Sequence, residues 1–266
     1  MLLQRLLLSA WILINAIPTW ASEKPSDVTK WGELRVRFEF TGKLPDPPVA
    51  WEALRHNADF VGDVYDESLL VNSDNRGVAN VVVWLRTDRD TAPSIHPSFQ
   101  KTAPDKVTWS IVGTRFVPHV LSVQTSQTLL INNKDRFGHV PKLDMSDNAS
   151  TSMALPSVNE GQHSFKKSEM IPVKACCAVH PWESAWLILK DHPYVGISDA
   201  DGKLKIEKLP VGDWEFQFWH ERAGNLKEGI VDGEVKSWPK GRRMVAISEG
   251  VNDLGTVKVP AKLFER

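Results

Sequence analysis

The residues best suited to chemistry lie in two short segments of the chain. Cys176 and Cys177 are adjacent and are the only two cysteines among 266 residues, and His180 follows them in CCAVHPW. His139 lies upstream at the end of INNKDRFGH, after a polar turn that follows a predicted strand. Thiolate sulfur and imidazole nitrogen are both good ligands of transition metals. The pattern therefore points to a metal centre.

The two cysteines are poorly placed to form a disulfide with each other. Their Cα atoms are about 3.8 Å apart across a trans peptide, below the usual disulfide range of roughly 4.4–6.8 Å. The residues alone leave three alternatives open: a thiolate bound to a metal, a disulfide between two chains, or a free buried thiol. The nearby histidines favour the metal, and one sulfur with two nitrogens suits both redox states of copper. Zinc would accept the same set, but structural zinc sites usually close with a fourth ligand.

The elements that must position these residues are predicted to be strands. Polar and apolar residues alternate in GELRVRFEFTG (32–42), as in a strand with one buried face. Residues 119–133 predict two strands with a turn near 125–127, and this pair leads to His139. Further strands are predicted at ESLLV (67–71), ANVVVWLR (79–86), KVTWSIV (106–112), HSFKKS (163–168), IPVKACC (171–177) and AWLILK (185–190).

A second β unit begins near Tyr194. The turn signals DADG and LPVG separate short alternating runs, one of which ends in WEFQFWHE (214–221). Strands separated by turns every 8–12 residues are typical of antiparallel β-sandwiches. The sequence therefore predicts an all-β chain with a boundary near residues 191–193 and a single short helical turn at 56–60.

Several runs resemble known families. Residues 116–139 are similar to the cupredoxin strand pair that ends in the first histidine ligand, and Cys177 with His180 resembles the C-x-x-H of the cupredoxin ligand loop. More closely, the chain resembles exported cupredoxin-like proteins of planctomycete-type bacteria, often named for methylamine utilisation. The runs that carry this resemblance are DESLLV (66–71), ANVVVWLR (79–86), RFVPHVL (115–121), CAVHPW (177–182) and DADGKLKIEKLPVGDWEFQFWHE (199–221).

The resemblance implies a domain division and a fold for each part. Residues 31–191 would form a Greek-key cupredoxin-like sandwich. Residues 192–266 would form a smaller sandwich, similar to the carboxypeptidase regulatory-like (transthyretin-like) unit. A fold of either kind does not by itself define a chemistry.

The resemblance also implies that His139, Cys177 and His180 bind one copper ion. Cupredoxins usually place an axial Met shortly after the second histidine, whereas this chain has Glu183 in PWESAW. Three consequences are open: three-coordinate copper with a long contact to the carbonyl of Gly138, approach of the Glu183 carboxylate, or loss of the metal. A hard carboxylate would favour Cu(II) and lower the reduction potential.

Two neighbours are candidates for the shell around the ligands. Trp182 would shield the metal from water and offer an apolar face to a partner. Cys176 would point away from the side of Cys177 if the pair ends a strand, because side chains alternate across a strand.

The first 30 residues predict export. Arg5 precedes an apolar run at 6–17, Pro18 breaks it, and cleavage is expected after Ala21. Residues 1–21 would thus be a signal peptide and residues 22–30 a flexible leader. The run is shorter than the roughly 20 residues of a membrane-spanning helix. We expect a periplasmic or secreted protein with no membrane span after cleavage.

The composition limits the partners. Lys and Arg number 32 and Asp and Glu 33, for a net charge of -1, which argues against nucleic-acid binding through phosphate contacts. No motif of a known enzyme chemistry is present, so no catalysis is predicted. The sequence favours a copper protein that transfers electrons to a redox protein or holds copper. The alternative is a metal-free binding or assembly module of the cell envelope on a cupredoxin scaffold.

Overall fold

The computed structural model describes residues 30–45, 66–87, 93–102 and 105–265. The predicted signal peptide, most of the predicted leader and the predicted helical turn at 56–60 lie outside the described residues. No helix in the described part of the chain is long and apolar enough to cross a membrane.

Nineteen strands, one short α-helix and two 3-10 helices (Pro239–Gly241 and Ala261–Leu263) make up the regular structure of the described residues. The strands in chain order are β1 (Trp31–Thr41), β2 (Val82–Leu85), β3 (Lys106–Ile111), β4 (Phe116–Val117), β5 (Val120–Gln124), β6 (Thr128–Asn133), β7 (Pro141–Asp144), β8 (Thr151–Ser152), β9 (Asn159–Ser164), β10 (Val173–Cys177), β11 (Ser184–Lys190), β12 (Val195–Ile197), β13 (Lys203–Pro210), β14 (Gly212–His220), β15 (Gly224–Asn225), β16 (Glu228–Val231), β17 (Glu234–Ser237), β18 (Arg242–Ile247) and β19 (Gly250–Pro260). The α-helix is α1 (Pro97–Thr102). The predicted all-β fold class is confirmed.

The first sandwich packs two sheets face to face. One sheet has the order β5-β11-β10-β7-β8 and the other the order β4-β3-β6-β9. Both contribute to one apolar core, which includes Trp109, Ile131, Leu143, Ala175 and Leu187. The strand pair predicted at 119–133 is confirmed as β5 and β6, with the turn between them where the sequence places it.

The second sandwich also contains two sheets. The outer sheet has the order β13-β1-β19-β16-β17, and the inner sheet has the order β12-β2-β14-β15 with β18 paired to β14. Their shared core includes Phe38, Val83, Phe216, Phe218 and Val257. The large apolar side chains of the predicted alternating runs therefore point between these sheets.

The grouping of β1 and β2 differs from the predicted one. The sequence analysis places both in the first unit, but β1 is hydrogen-bonded to β13 and β19. Likewise, β2 is hydrogen-bonded to β12 and β14. The second sandwich is therefore built from both ends of the chain. The pairing of strands so distant in sequence is not visible in the residues around each strand. Chain order alone therefore assigns β1 and β2 to the first sandwich.

The predicted strand at 67–71 is wrong. Only Val71 makes a β-bridge there, to Val78, and the remaining residues follow an irregular path. Asn72 explains the interruption, because its side-chain oxygen accepts hydrogen bonds from the backbone N–H groups of Asp74 and Asn75. Such an Asx turn competes with ladder pairing.

The two sandwiches are joined through the inner sheet. Val82 and Trp84 of β2, with Trp219 of β14, pack against Val120 and Ile188 of the first sandwich. All four residues of β2 are consequently buried, because its two faces meet different cores. The uninterrupted apolar run VVVWL follows from this position, as it does for any strand covered on both faces.

Two histidines are buried in or next to the second sandwich. His192 and His220 are each 1 % exposed, and each accepts a hydrogen bond at Nδ1 from a backbone N–H. Burial lowers the pKa of both side chains to about 4. Their ordinary pKa is about 6.5, so the unfolded chain binds more protons than the folded chain between these two values.

We expect acid to destabilise the protein through these histidines. The free energy of unfolding should fall by roughly 3 kcal/mol per histidine as the pH falls from 7 to 4. Urea unfolding at both pH values measures this change. The variant His220→Gln should lose about one histidine's share of the pH dependence. His163→Gln should lose a smaller share, because His163 is only partly buried and burial lowers its pKa less. An unfolding free energy with the same pH dependence in His220→Gln as in the wild type would contradict the prediction.

Candidate metal centre

A short connection between two strands carries three of the functional side chains. Cys177 ends β10, and β11 begins at Ser184, so residues 178–183 form the loop between them. The backbone N–H of Glu183 donates to the carbonyl of His180 at 3.0 Å, and the N–H of Cys177 donates to the carbonyl of Glu183 at 3.3 Å. These bonds close the loop. Cys177, His180 and Glu183, spaced three residues apart in succession, thereby reach one buried space.

His139 reaches the same space from the loop after β6. Its backbone forms a two-hydrogen-bond bridge with Leu155, at 2.9 and 2.8 Å. The Asn133 side chain supports this loop by donating to the carbonyls of Phe137 and Pro156, at 2.8 and 2.9 Å. The loop is therefore held by hydrogen bonds on both sides of the histidine.

Four potential ligand atoms converge in this space. One atom from each of His139, Cys177, His180 and Glu183 lies within 4.8 Å of every other, and all four residues are buried. Nδ1 of His139 is 3.1 Å from Nδ1 of His180, and Sγ of Cys177 lies 3.6 Å from the second and 4.0 Å from the first. Oε1 of Glu183 lies 3.0 Å from Nδ1 of His139 and 2.9 Å from Nδ1 of His180.

These separations fit four ligands around one ion. Metal–nitrogen and metal–oxygen bonds of about 2.0 Å and metal–sulfur bonds of about 2.3 Å place tetrahedral ligands roughly 3.3–3.5 Å apart. Oε1 of Glu183 is also a buried oxygen that makes no well-formed hydrogen bond, despite its closeness to both imidazoles. The donor set of one sulfur, two nitrogens and one carboxylate oxygen is that of copper or zinc.

Two backbone and side-chain contacts orient the ligands. The backbone N–H of Val140 donates to Sγ of Cys177 at 3.3 Å, which fixes the position of the sulfur. Nε2 of His139 donates to Oδ2 of Asp135 at 3.1 Å, so the ring presents Nδ1 to the other three ligand atoms. The same carboxylate accepts from the backbone N–H groups of Gly113 and Thr114, at 2.6 and 2.9 Å. Asp135 is thus itself fixed in place.

The protonation of His139 reflects the crowding of acceptors around it. Burial acts to lower its pKa, but the Cys177 and Glu183 side chains outweigh burial and raise the pKa to about 10. A proton among these acceptors relieves their mutual repulsion when no cation is bound. A metal ion at this place would exchange with that proton.

Aromatic rings surround the two imidazoles. The centroid of Phe137 is 5.1 Å from that of His139 and 5.6 Å from that of His180, and Trp182 is 5.2 Å from His180. The rings keep water from the ligand atoms and limit rotation of the imidazoles. The sequence analysis predicts that Trp182 lies next to the ligands, and its ring contacts that of His180.

The structure therefore brings together His139, Cys177, His180 and Glu183. Cys176 lies outside this set: it is half-buried on the opposite side of β10, as the alternation of the strand requires. Gly138 immediately precedes His139, and a contact from its carbonyl to a metal stays a prediction.

Sequence reasoning missed Asp135, whose only signal is its position four residues before His139 in a polar turn. A carboxylate in such a turn is common, and only the folded loop shows that it faces the imidazole.

No family model matches the chain, and no curated protein matches it. Among solved structures, a purple cupredoxin from Nitrosopumilus maritimus is 18 % identical, and the match covers 31 % of this chain and 98 % of that one with a TM-score of 0.27. A mutant of amicyanin in its reduced state is 11 % identical over 41 % of this chain and 98 % of that one, with a TM-score of 0.29.

A copper-containing nitrite reductase from Thermus scotoductus SA-01 is also similar. It is 19 % identical over 40 % of this chain with a TM-score of 0.30, and this chain spans a quarter (25 %) of its length. These structural neighbours are cupredoxins or cupredoxin-related proteins, matched at low identity and over part of the chain. The predicted all-β sandwich architecture is confirmed by the sheets of the chain itself, and its assignment to the cupredoxin fold stays a prediction. The planctomycete type and the transthyretin-like character of the second unit stay predictions.

Asp135 provides a test of the metal centre that does not depend on colour. The variant Asp135→Asn should bind Zn²⁺ or Cu⁺ about 10- to 100-fold more weakly, because loss of a carboxylate behind a ligating histidine typically has this effect. Competition with a chelator of known affinity measures the change. The control Asp144→Asn removes an exposed carboxylate paired with Lys142, and it should keep the wild-type affinity. Equal affinities in both variants would show that Asp135 does not position a ligand.

Proposed function

We propose that this protein binds one copper ion through Nδ1 of His139, Sγ of Cys177, Nδ1 of His180 and the carboxylate of Glu183. The observation that carries the proposal is the convergence of these four buried donors within 4.8 Å of one another. Water-excluded donors with fixed positions suit an ion that must change its charge without rearranging its ligands. We infer that the protein transfers electrons to a redox partner or holds copper, outside the cytoplasm.

Each residue has a distinct part in this proposal. Cys177 supplies the soft donor, whose position the N–H of Val140 fixes. His139 and His180 supply two neutral nitrogens, and Asp135 keeps the first of them in the tautomer that leaves Nδ1 free. When bound, copper would supply a one-electron redox couple. The protein supplies the rigid geometry that both charge states of the couple must share.

Glu183 distinguishes this donor set from the usual cupredoxin set, in which the axial ligand is methionine. Its oxygen lies as close to both imidazoles as they lie to each other. A carboxylate at this distance would act as a full fourth ligand rather than as a weak axial contact. Because a hard, anionic ligand favours Cu(II), we expect a low reduction potential.

The thiolate ligand can be tested directly. Protein loaded with Cu(II) should contain one copper per chain and show intense visible absorption from sulfur-to-copper charge transfer. Cys177→Ser should abolish this absorption, whereas Cys176→Ser should leave it intact, because Cys176 lies on the other side of β10. A purified protein without stoichiometric copper or visible colour, even after copper loading, would refute the proposal and leave the metal-free module.

The role of Glu183 can be tested by its reduction potential. Glu183→Met should raise the potential of the bound copper by at least about 59 mV, which corresponds to a tenfold shift from Cu(II) towards Cu(I) for one electron. Glu183→Gln keeps an oxygen donor without its charge, so its reduction potential should lie between those of the wild type and Glu183→Met. Spectroelectrochemical titration measures all three proteins. A potential that is the same in Glu183→Met and the wild type would exclude Glu183 as a ligand.

A further inference from the structure

A second chemical feature lies where the two sandwiches meet. A cavity of about 290 Å³ is lined by Trp84 of β2 and by the segment around Ser168, Glu169 and Met170. Lys190, the last residue of β11, also lines it and is only 7 % exposed. Met170 is 57 % exposed at the same cavity, so the space is open to solvent. A lysine side chain is rarely buried to this degree unless it is paired.

The Lys190 amine is held by neutral partners. Nζ donates to the carbonyl of Glu169 at 2.6 Å and approaches the carbonyl of Met170 at 3.5 Å. It also lies 4.7 Å from the centroid of the Trp84 ring. Among the described residues, no carboxylate oxygen forms an ion pair with Nζ. The amine therefore has no counter-ion in direct contact.

The nearest carboxylate is committed elsewhere. Both oxygens of Glu169 accept hydrogen bonds from the backbone N–H groups of residues 146–148, at 2.8–3.0 Å. The charged groups that act on Lys190 from a distance are Arg86 on one side and Asp147, Glu169 and Asp191 on the other. Burial outweighs the three carboxylates and lowers the pKa of Lys190 to about 8. A substantial share of this amine is therefore uncharged at mildly alkaline pH.

We propose that Lys190 is a reactive amine that forms imines with small aldehydes entering this cavity. The uncharged nitrogen adds to the carbonyl carbon, and the resulting carbinolamine loses water. One amine and one aldehyde give one imine and one water, and no oxidant or reductant is consumed. Lysines whose amine is desolvated by burial can serve as Schiff-base nucleophiles in other proteins.

The surroundings favour an aldehyde over an anionic electrophile. The protonated imine keeps one positive charge, which the face of Trp84 and the carbonyl of Glu169 already accommodate. The cavity lining carries three carboxylates and, besides Lys190, two cationic side chains, so an acyl phosphate or a carboxylate-bearing reagent meets an excess of negative charge; these residues are Asp147, Glu169, Asp191, Arg86 and Lys167. A small uncharged aldehyde is not repelled by these carboxylates, and it fits the volume of the cavity.

Reductive trapping tests the proposal on the full-length, unmodified chain. The protein is treated at pH 7.5 with low millimolar acetaldehyde and cyanoborohydride, and modified lysines are followed over time by peptide mass spectrometry. Lys190 should be modified at least about tenfold faster than the exposed Lys142 and Lys205, whose ordinary or higher pKa values keep them protonated. A rate at Lys190 equal to or below those of Lys142 and Lys205 would overturn the proposal.

Two variants test separately the reactivity of the Lys190 amine and the access of the aldehyde through the cavity. Lys190→Arg keeps a cation over Trp84, and it should lose the fast-reacting site while it unfolds at nearly the wild-type temperature. Ser168→Trp places a large ring at the cavity, so less aldehyde should reach Lys190 and its modification should slow by about tenfold. The added ring buries Lys190 further, which would keep the pKa of Lys190 low. If Lys190 reacts equally fast in Ser168→Trp, the aldehyde does not enter through the cavity, and that part of the proposal fails. None of these measurements requires copper, so their outcome is independent of the proposed metal centre.

Discussion

Repulsion among four buried electron-pair donors is the constraint around which the first sandwich is organised. A cysteine sulfur, two imidazole nitrogens and a carboxylate oxygen face one another in a buried space. Burying such groups without a compensating positive charge is costly. In the metal-free protein a proton on His139 supplies that charge, because the Cys177 and Glu183 side chains raise the pKa of His139 to about 10. A bound cation would take the place of the proton, so metal affinity and proton release are coupled.

The scaffold holds this arrangement because the donors lie where the backbone has little freedom. His139 is bridged to Leu155 on one side and tied to Asp135 on the other. The loop that carries His180 and Glu183 is closed by its own backbone hydrogen bonds. Packing of the two sheets stabilises these loops, so the cost of gathering the donors is offset by the core. A centre assembled in this way needs little rearrangement when the charge of its ion changes.

The sequence predicted the parts of the site that are encoded locally. Cys177 and His180 are three residues apart, and His139 follows an unmistakable strand, so their proximity could be anticipated. Glu183 drew attention because it stands where a methionine is usual. Asp135 could not be identified, because its contact with His139 depends on the path of a loop rather than on periodicity.

The same limit applies to the fold. Alternating or β-branched residue types located β3, β5, β6, β10 and β11 of the first sandwich, since these strands bury at least one face. They could not show that β1 pairs with β19, more than 200 residues away in the chain. The predicted strand at 67–71 failed for a different reason: its apolar residues suit a strand, but the side chain of Asn72 caps a turn that ends it.

Strand β11 shows how the second sandwich affects the proposed metal centre. Ala185, Leu187 and Leu189 face the core of the first sandwich, whereas Trp186 and Ile188 face the second. The ring of Trp186 packs edge-on against Trp219 at 5.0 Å. Glu183 directly precedes this strand and Lys190 ends it, so the two reactive features of the chain are attached to one rigid element. Because protein interiors are closely packed, the second sandwich fixes the position of β11 and, through it, the loop that carries the ligands. It is thus part of the structure that defines the donor geometry.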